Sequence, residues 1–320
     1  MTSTSNYIIR AKTGNDELAS VYIMDFGNGR LVECVEAKEP QLSREEKWVL
    51  IISTLFGCPV KCRMCDAGGD YRGRLSYSQM FAQIDFLVHQ RYSNNIVPTK
   101  KFKIQFARMG EPAFNLDVIR LMEDLPNLYD ACGLMPAISS IAPEGCDEFF
   151  DRLADVKNRV YANGKFQLQF SIHSTDFRKR SWLIPAKIWS LEQIARYGEM
   201  FYQQGDRKIT LNFALSEESD IDVGLLASVF DTEKFLVKIT PINPTVRSTE
   251  NNLLVADNNF GILPVENLME ALQRVGFDVI LSIGELEENN IGSNCGQFVS
   301  RYLNQSLAID NAYTYKLQYV

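Results

Sequence analysis

No stretch of this chain is apolar for long enough to cross a membrane. The longest run, Trp48 to Gly57, is about half a membrane span and reads as a buried strand. Nor does the amino terminus, Met1-Thr2-Ser3-Thr4-Ser5-Asn6, carry the apolar core of a secretory signal. Cysteine is too scarce for a disulfide-stapled scaffold: seven in 320 residues, three of them clustered, suit a reducing compartment. A surplus of positive charge is missing too. With 33 Lys and Arg against 40 Asp and Glu, the net charge is −7, whereas a broad phosphate-facing surface is usually basic. Basic residues crowd only locally, at Lys61, Arg63, Arg72 and Arg74 and again at Arg178, Lys179 and Arg180, as solvated faces or as a local groove. Repeats, low-complexity tracts and Gly/Ser linkers are absent. These absences leave a soluble, cytoplasmic chain with no membrane partner. At 46% apolar it can bury one large α/β barrel-type core or two smaller ones.

What is present is an alternation. Val21 to Phe26 and Leu31 to Val35 are strand-like runs joined through Gly27-Asn28-Gly29, a tight-turn signal. Pro40 to Lys47 is a charged connector. Beyond it, strand patterns at 49–53, 103–107, 135–139, 167–172, 208–213 and 236–240 interleave with helical periods at 77–90, 116–125, 146–153, 191–202 and 223–230. Strand–helix alternation implies parallel pairing with right-handed crossovers. The expectation is an α/β fold: a partial (β/α)6 version of the TIM-like barrel, with a small N-terminal β-hairpin element. Its parts are a hairpin and connector (1–47), the partial barrel (48–262) and a C-terminal extension (263–320) with a helix at 265–275 and a short strand at 279–283. Barrel chemistry sits at the carboxyl ends of the strands, so the polar residues after each strand should converge.

After the first of these strands comes Leu55-Phe56-Gly57-Cys58-Pro59-Val60-Lys61-Cys62-Arg63-Met64-Cys65. Thiolates of Cys58, Cys62 and Cys65 on one short loop can hold three irons of a 4Fe–4S cluster and leave the fourth iron open. An open position suits catalysis, because structural metal sites are closed by a full ligand set. Zinc is the alternative, but it needs a fourth ligand, and neither His89 nor Cys132 is near in sequence.

The spacing after a buried strand resembles the signature of the radical S-adenosylmethionine (SAM) superfamily. That resemblance implies a 4Fe–4S cluster whose open iron is chelated by SAM, and a low-potential electron donor such as flavodoxin or ferredoxin. Gly110-Glu111-Pro112 after the second strand is similar to the Gly-Glu-Pro motif of these enzymes, which approaches the methionine part of SAM. From about residue 20 to residue 300, the chain further resembles the RlmN/Cfr-like branch, which methylates an adenine carbon in RNA. Met109-Gly110-Glu111-Pro112-Ala113-Phe114-Asn115, Ser171-Ile172-His173, Ile184-Pro185, Asn243-Pro244, Asn294-Cys295-Gly296-Gln297 and Val32-Glu33-Cys34 carry the likeness.

By these matches Gly110, Glu111, Ser139, Ser171, Ile172, His173 and Asn243 contact SAM. Cys295 is methylated and then gives up a hydrogen atom from its methyl group. The carbon radical adds to an sp² carbon of the substrate, and Glu33 removes the proton that restores aromaticity. Two features depart from the branch. Its second cysteine, seven residues before the first cluster cysteine, is Ile51 here, and only a hairpin stands where the branch has a helical RNA-binding module. Cys34 is the conceivable substitute, but strand alternation points it away from Glu33. A nucleobase, an RNA or a small molecule remains open as the substrate. So does a non-methylating hydrogen abstraction on a small molecule or peptide.

Plain readings stand beside these: a satisfied core histidine for His173, an inert thiol for Cys295 and an exposed strand carboxylate for Glu33. Met64 stands where radical SAM loops often carry an aromatic residue.

Overall fold

The computed structural model describes residues 6–216, 220–253, 265–293, 298–303, 309 and 312–320. It opens with an antiparallel meander of β1 (Ile8–Gly14), β2 (Ala19–Asp25) and β3 (Leu31–Ala37). Gly27, Asn28 and Gly29 between β2 and β3 all have positive φ (85°, 54° and 69°), the conformation that Gly and Asn tolerate. The hairpin read from the sequence is therefore the second half of a three-stranded element. β1 escaped notice because Arg10 and Lys12 interrupt its apolar run.

β3 pairs antiparallel with β4 (Lys47–Ile52), and there the sheet changes character. α1 (Tyr77–His89), started by a Ser76/Gln79 capping box, returns the chain to β5 (Lys101–Phe106). α2 (Asp117–Leu128) leads to β6 (Leu134–Ser140), and α3 (Asp147–Val160) to β7 (Gln167–Ser171). α4 (Phe177–Leu183) and α5 (Leu191–Phe201) precede β8 (Ile209–Leu215); α6 (Val223–Val229) precedes β9 (Phe235–Pro241). α7 (Val246–Glu250) and α8 (Val265–Arg274) follow, then β10 (Asp278–Leu281), α9 (Leu286–Ile291), α10 (Phe298–Leu303) and β11 (Gln318–Tyr319).

The described strands form one sheet in the order β10-β9-β8-β7-β6-β5-β4-β3-β2-β1-β11, parallel from β4 to β10 and, among the described residues, not closed into a ring. The expected half-open barrel is present. The short strand of the C-terminal extension joins it as a further parallel strand, pairing Asp278–Leu281 with Leu236–Ile239. A four-residue, largely exposed strand has too little periodicity to announce its sheet.

Alternation along each parallel strand separates two faces. Trp48, Leu50 and Ile52, Phe102, Ile104 and Phe106, Leu211 and Phe213, and Val237 and Ile239 point to the helices and form the main core. The opposite, concave face carries Lys103, Gln105, Ser139, Gln169, Ser171, Asn212 and Lys238. Over β1–β3 that face is instead covered by Ile291, Phe298, Ala312 and Tyr313, which pack on Ala11, Val21, Ile23 and Val35.

Phe150 is the hub of an aromatic group under β7. Its ring centroid lies 4.4 Å from Trp189, 5.3 Å from Tyr197 and 5.4 Å from Phe149. Truncation of so buried a ring leaves a cavity that flanking rings cannot fill. Phe150→Ala should lower the unfolding free energy by about 3–5 kcal/mol, read as a shifted midpoint in urea.

Candidate active site

The cysteine loop leaves β4 and is tied down on two sides. On the barrel side, Thr54 and Leu55 donate their N–H groups to Met109 O at 2.8 and 3.1 Å, and Gly69 N–H reaches Cys58 O at 2.9 Å. On the far side the loop is gripped by α4 and α7. Arg63 donates its N–H to Leu183 O and its Nε to Trp182 O, both at 3.0 Å, and its guanidinium lies 4.8 Å over the Trp182 ring. Thr245 Oγ1 donates to Met64 O at 3.0 Å, and Asn251 Nδ2 to Arg63 O at 3.1 Å. Asp66 accepts the N–H groups of Val246 and Arg247, both at 3.0 Å, at the start of α7. The segment that begins with Asn243-Pro244 is thus drawn onto the loop; Asn243 O itself accepts Ser248 Oγ at 3.0 Å.

Cys58, Cys62 and Cys65 share this loop. Burial raises the Cys58 thiol pKa, opposed by N–H groups of Val60, Glu111 and Lys61 directed at the sulfur. Burial lifts Cys62 much further, and the neighbouring Cys65 and Cys58 add to the rise. Such crowded thiols lose their protons when a cation joins them, which is the donor chemistry of an iron–sulfur cluster. Among the described residues, no group of three or more His, Cys, Asp or Glu side chains is gathered as a ready-made metal site. The sequence candidates for a fourth zinc ligand stay away: His89 ends α1 and Cys132 precedes β6, both where the parallel strands begin.

Gly110 has φ +96°, and a Cβ there would stand 2.4 Å from Leu55 Cβ, so only glycine fits this turn. Glu111 is fully enclosed. Oε1 accepts Ser140 Oγ at 2.6 Å and Ala113 N–H at 3.0 Å; Oε2 accepts Ile141 N–H at 3.0 Å. Burial raises its pKa, and these donors pull against the rise. A carboxylate has about four acceptor sites, so one on Glu111 is left beyond these three bonds.

Ser139 and Ser140 divide the work at the end of β6. Ser140 anchors Glu111, while Ser139 Oγ faces the concave side and accepts Gln105 Nε2 at 3.5 Å and Gln169 Nε2 at 3.3 Å. Ser171 ends β7 beside Asn212. Ile172 and His173 donate their N–H groups to Asn212 O at 2.8 and 3.2 Å. His173 sits at φ +65° and is buried, and its Nδ1 accepts Ala214 N–H at 3.1 Å, leaving the proton on Nε2. Burial, with Arg180 nearby, lowers its pKa to about 4.

Glu33 is not an exposed strand carboxylate. It is completely buried and accepts Arg108 Nε at 3.0 Å and Nη2 at 2.5 Å, and Val299 N–H at 2.5 Å. Burial raises its pKa against the pull of Arg108. Arg108 also donates to Ser293 O at 2.9 Å and Gly292 O at 2.8 Å. Cys295 lies outside the described residues, yet Ser293 before it and Val299 after it are both bound to this one ion pair. Arg108 is the residue that sequence reasoning missed; its only signal was a charge placed between a buried strand and the Gly-Glu-Pro turn. Cys34 is buried on the helix side, 3.5 Å from Met24 Sδ, so it does not share Glu33's face. Ile51 packs with the apolar group that the C-terminal segment covers. A cavity of about 180 Å³ opens beside the loop, lined by Phe56, Gly68, Arg72, Met109 and Val299 among others.

No family model matches the chain. It is 24% identical over 285 residues, 86% of its length and 69% of the relative's, to a probable dual-specificity RNA methyltransferase RlmN of Heliobacterium modesticaldum. In fold it is similar to a radical SAM methyltransferase from Sphaerobacter thermophilus (TM-score 0.67, 19% identity, 92% of this chain and 81% of that one). It is also similar to Streptococcus suis SuiB, solved with S-adenosylmethionine bound (TM-score 0.50, 13% identity, 74% and 50% covered). The chain is a relative of RlmN methyltransferases along most of its length and has the fold of radical SAM enzymes.

His173 gives a pH signature. Its folded pKa of about 4 lies below an unfolded value near 6.5, so the unfolded chain binds the extra proton between these limits. Stability at that site is intact above pH ~6.5 and is lost as pH falls toward 4, by on the order of 3 kcal/mol. His173→Asn should flatten the pH dependence of the urea midpoint in this window relative to the parent chain; identical slopes would contradict the buried, neutral imidazole.

Proposed function

We propose that the chain is a radical SAM enzyme that binds a 4Fe–4S cluster through Cys58, Cys62 and Cys65, binds SAM, and methylates an sp² carbon by way of a methylated Cys295. The observation that carries this reading is the contact between the two motifs: Glu111 N–H is directed at the Cys58 sulfur. A cluster on the loop and a cofactor on the Gly-Glu-Pro turn would then be neighbours. When bound, they would supply one-electron cleavage of a sulfonium and so a carbon radical able to take a hydrogen atom. Relatives named as RNA methyltransferases support methyl transfer and make an RNA base the first substrate class to test. A low-potential donor such as flavodoxin or ferredoxin would deliver the electron.

The chain's own residues have distinct duties in this scheme. Glu111 offers its remaining acceptor site to the ammonium of SAM, and His173 offers a neutral Nε2–H. Ser139, Ser171 and Asn243, with the backbone of Gly110 and Ile172, complete the cofactor's surroundings at the strand ends. Glu33 and Arg108 hold both flanks of Cys295. Burial also raises the proton affinity of Glu33, the property a general base needs. Cys295 takes the methyl group as a thiolate nucleophile.

A second reading, hydrogen abstraction without methyl transfer, is favoured by Ile51. An apolar side chain packed with Val35 and Phe298 cannot resolve a crosslink to Cys295.

One experiment separates the two. The full chain, reconstituted with iron and sulfide and reduced anaerobically, is incubated with methyl-labelled SAM, and its peptides are weighed. Methyl transfer predicts a labelled methyl increment on Cys295 and S-adenosylhomocysteine in solution. Arg108→Met should keep its iron but lower the labelled fraction several-fold, because the loop loses its anchor. An unlabelled Cys295 together with 5′-deoxyadenosine formation would favour the second reading.

A further inference from the structure

α4 turns one side to the protein and leaves the other bare. Arg180 and Leu183 are buried, while Phe177, Arg178 and Trp182 are exposed. Phe177 is 74% exposed, more than any other aromatic side chain among the described residues, and Trp182 is 41% exposed. Apolar residues exposed singly need no explanation, but these two share one face. Residues four apart on a helix are neighbours, so Arg178 lies beside Trp182, and the turn of about 100° per residue sets it between the two rings. Lys179 reaches Asp220 at 3.7 Å, whereas Arg178 has no ion pair among the described residues.

Trp182 is held in place. Arg63 of the cysteine loop lies 4.8 Å over its ring, and donates Nε to Trp182 O at 3.0 Å and Nη1 to Asn251 Oδ1 at 3.2 Å. Leu183 and Ile184, next along the chain, pack with Val60 and Met64 of the same loop. The bare face of α4 therefore continues onto the cysteine loop, where Lys61 is exposed as well. Two carboxylates at the start of α4 are engaged: Asp176 accepts Lys179 N–H at 2.8 Å, and Asp220 pairs with the Lys179 side chain.

The rings and cations have the spacing of a nucleic-acid strand. Five residues of α-helix advance roughly 7.5 Å, close to two nucleotide steps of ~3.4 Å. Aromatic rings take bases of any sequence as stacking partners, and arginine meets the phosphates between them. A ring already clamped by Arg63 loses little freedom on binding. The net charge of −7 gives the whole chain no attraction for RNA, so a local platform has to supply it.

We propose that the outer face of α4, with Lys61 of the cysteine loop, is a platform for a short single-stranded RNA segment. Bases flanking the substrate base stack on Phe177 and on the open part of the Trp182 ring, and Arg178 takes the phosphate between them. Because α4 ends against the cysteine loop, a strand lying along it is led toward the mouth of the site. The choice of RNA rests on the nucleobase reading of the substrate made above; the shape and charge of the platform do not.

A labelled oligoadenylate is the probe, followed by fluorescence anisotropy with the full, cluster-loaded chain. Phe177→Ser should weaken binding at least about fivefold without changing its salt dependence, since it removes a stacking partner and no charge. Arg178→Gln should flatten the slope of log affinity against log salt by about 0.7, the loss of one phosphate contact. Both side chains are exposed, so both variants should fold. Trp48 and Trp189 are buried, so acrylamide quenching reads Trp182 and should fall when RNA is added. No binding by the parent chain, unchanged affinity in Phe177→Ser, an unchanged slope in Arg178→Gln, or unchanged quenching would overturn the proposal. So would flavodoxin binding that both variants lose while RNA binding stays, because the face would then serve the electron donor. RNA binding is read without turnover, which keeps the two readings separate. A labelled Cys295 in a chain that ignores RNA contradicts the platform alone. A chain that binds RNA through α4 but never cleaves SAM contradicts the radical SAM reading alone.

Discussion

The turn at Gly110 is the constraint on which the site depends. A residue with any side chain there would collide with Leu55, and few L residues adopt its backbone angle. Because glycine fits, Met109 O can receive the N–H groups of Thr54 and Leu55, and Glu111 N–H can point at Cys58. The Glu111 carboxylate, buried at this junction, then binds the end of β6 through Ser140 and Ile141. Three successive strand ends are thereby locked around the first cysteine. The remaining two cysteines are held from outside, by α4 through Arg63 and by α7 through Asp66, Thr245 and Asn251. The loop therefore leans on both ends of the half barrel, which only a curled sheet permits.

A second division of labour runs along the strands. One face of the parallel strands is mainly apolar and buys the stability of the fold; the other carries amides, hydroxyls and lysines. A barrel interior filled with branched apolar side chains would be a packed core. This one is polar and half-buried, which suits a space that receives ligands. Over β1–β3 the C-terminal segment closes the same face with an apolar cover, and the Arg108–Glu33 pair is the polar seam between covered and open parts. Breaking one partner of so buried a pair costs about 3–5 kcal/mol, so the seam holds the tail firmly beside the opening.

Much of this was legible in the sequence because it is local. The strand and helix periods, the Asn-Gly turn, the cysteine spacing and the Gly-Glu-Pro turn each lie within a short window, and each sits where expected. Alternation alone placed Cys34 and Glu33 on opposite faces. What was not legible comes from residues far apart in the chain. Arg108 reaches Glu33 across 75 positions and Ser293 across 185. No periodicity encodes that Asp66 receives the first N–H groups of α7, or that Ser140 and not Ser139 reaches Glu111. Those facts follow from how far the sheet curls, a property of the whole fold.

The central claim is that three thiolates on a loop braced by the Gly-Glu-Pro turn leave one iron open to SAM. Electron paramagnetic resonance of the anaerobically reconstituted, reduced chain tests it most directly. The account predicts close to four irons per chain, a reduced 4Fe–4S signal that changes shape when SAM is added, and loss of both in Cys62→Ala. A chain that instead retains one tightly bound zinc, or a cluster signal indifferent to SAM, would contradict it.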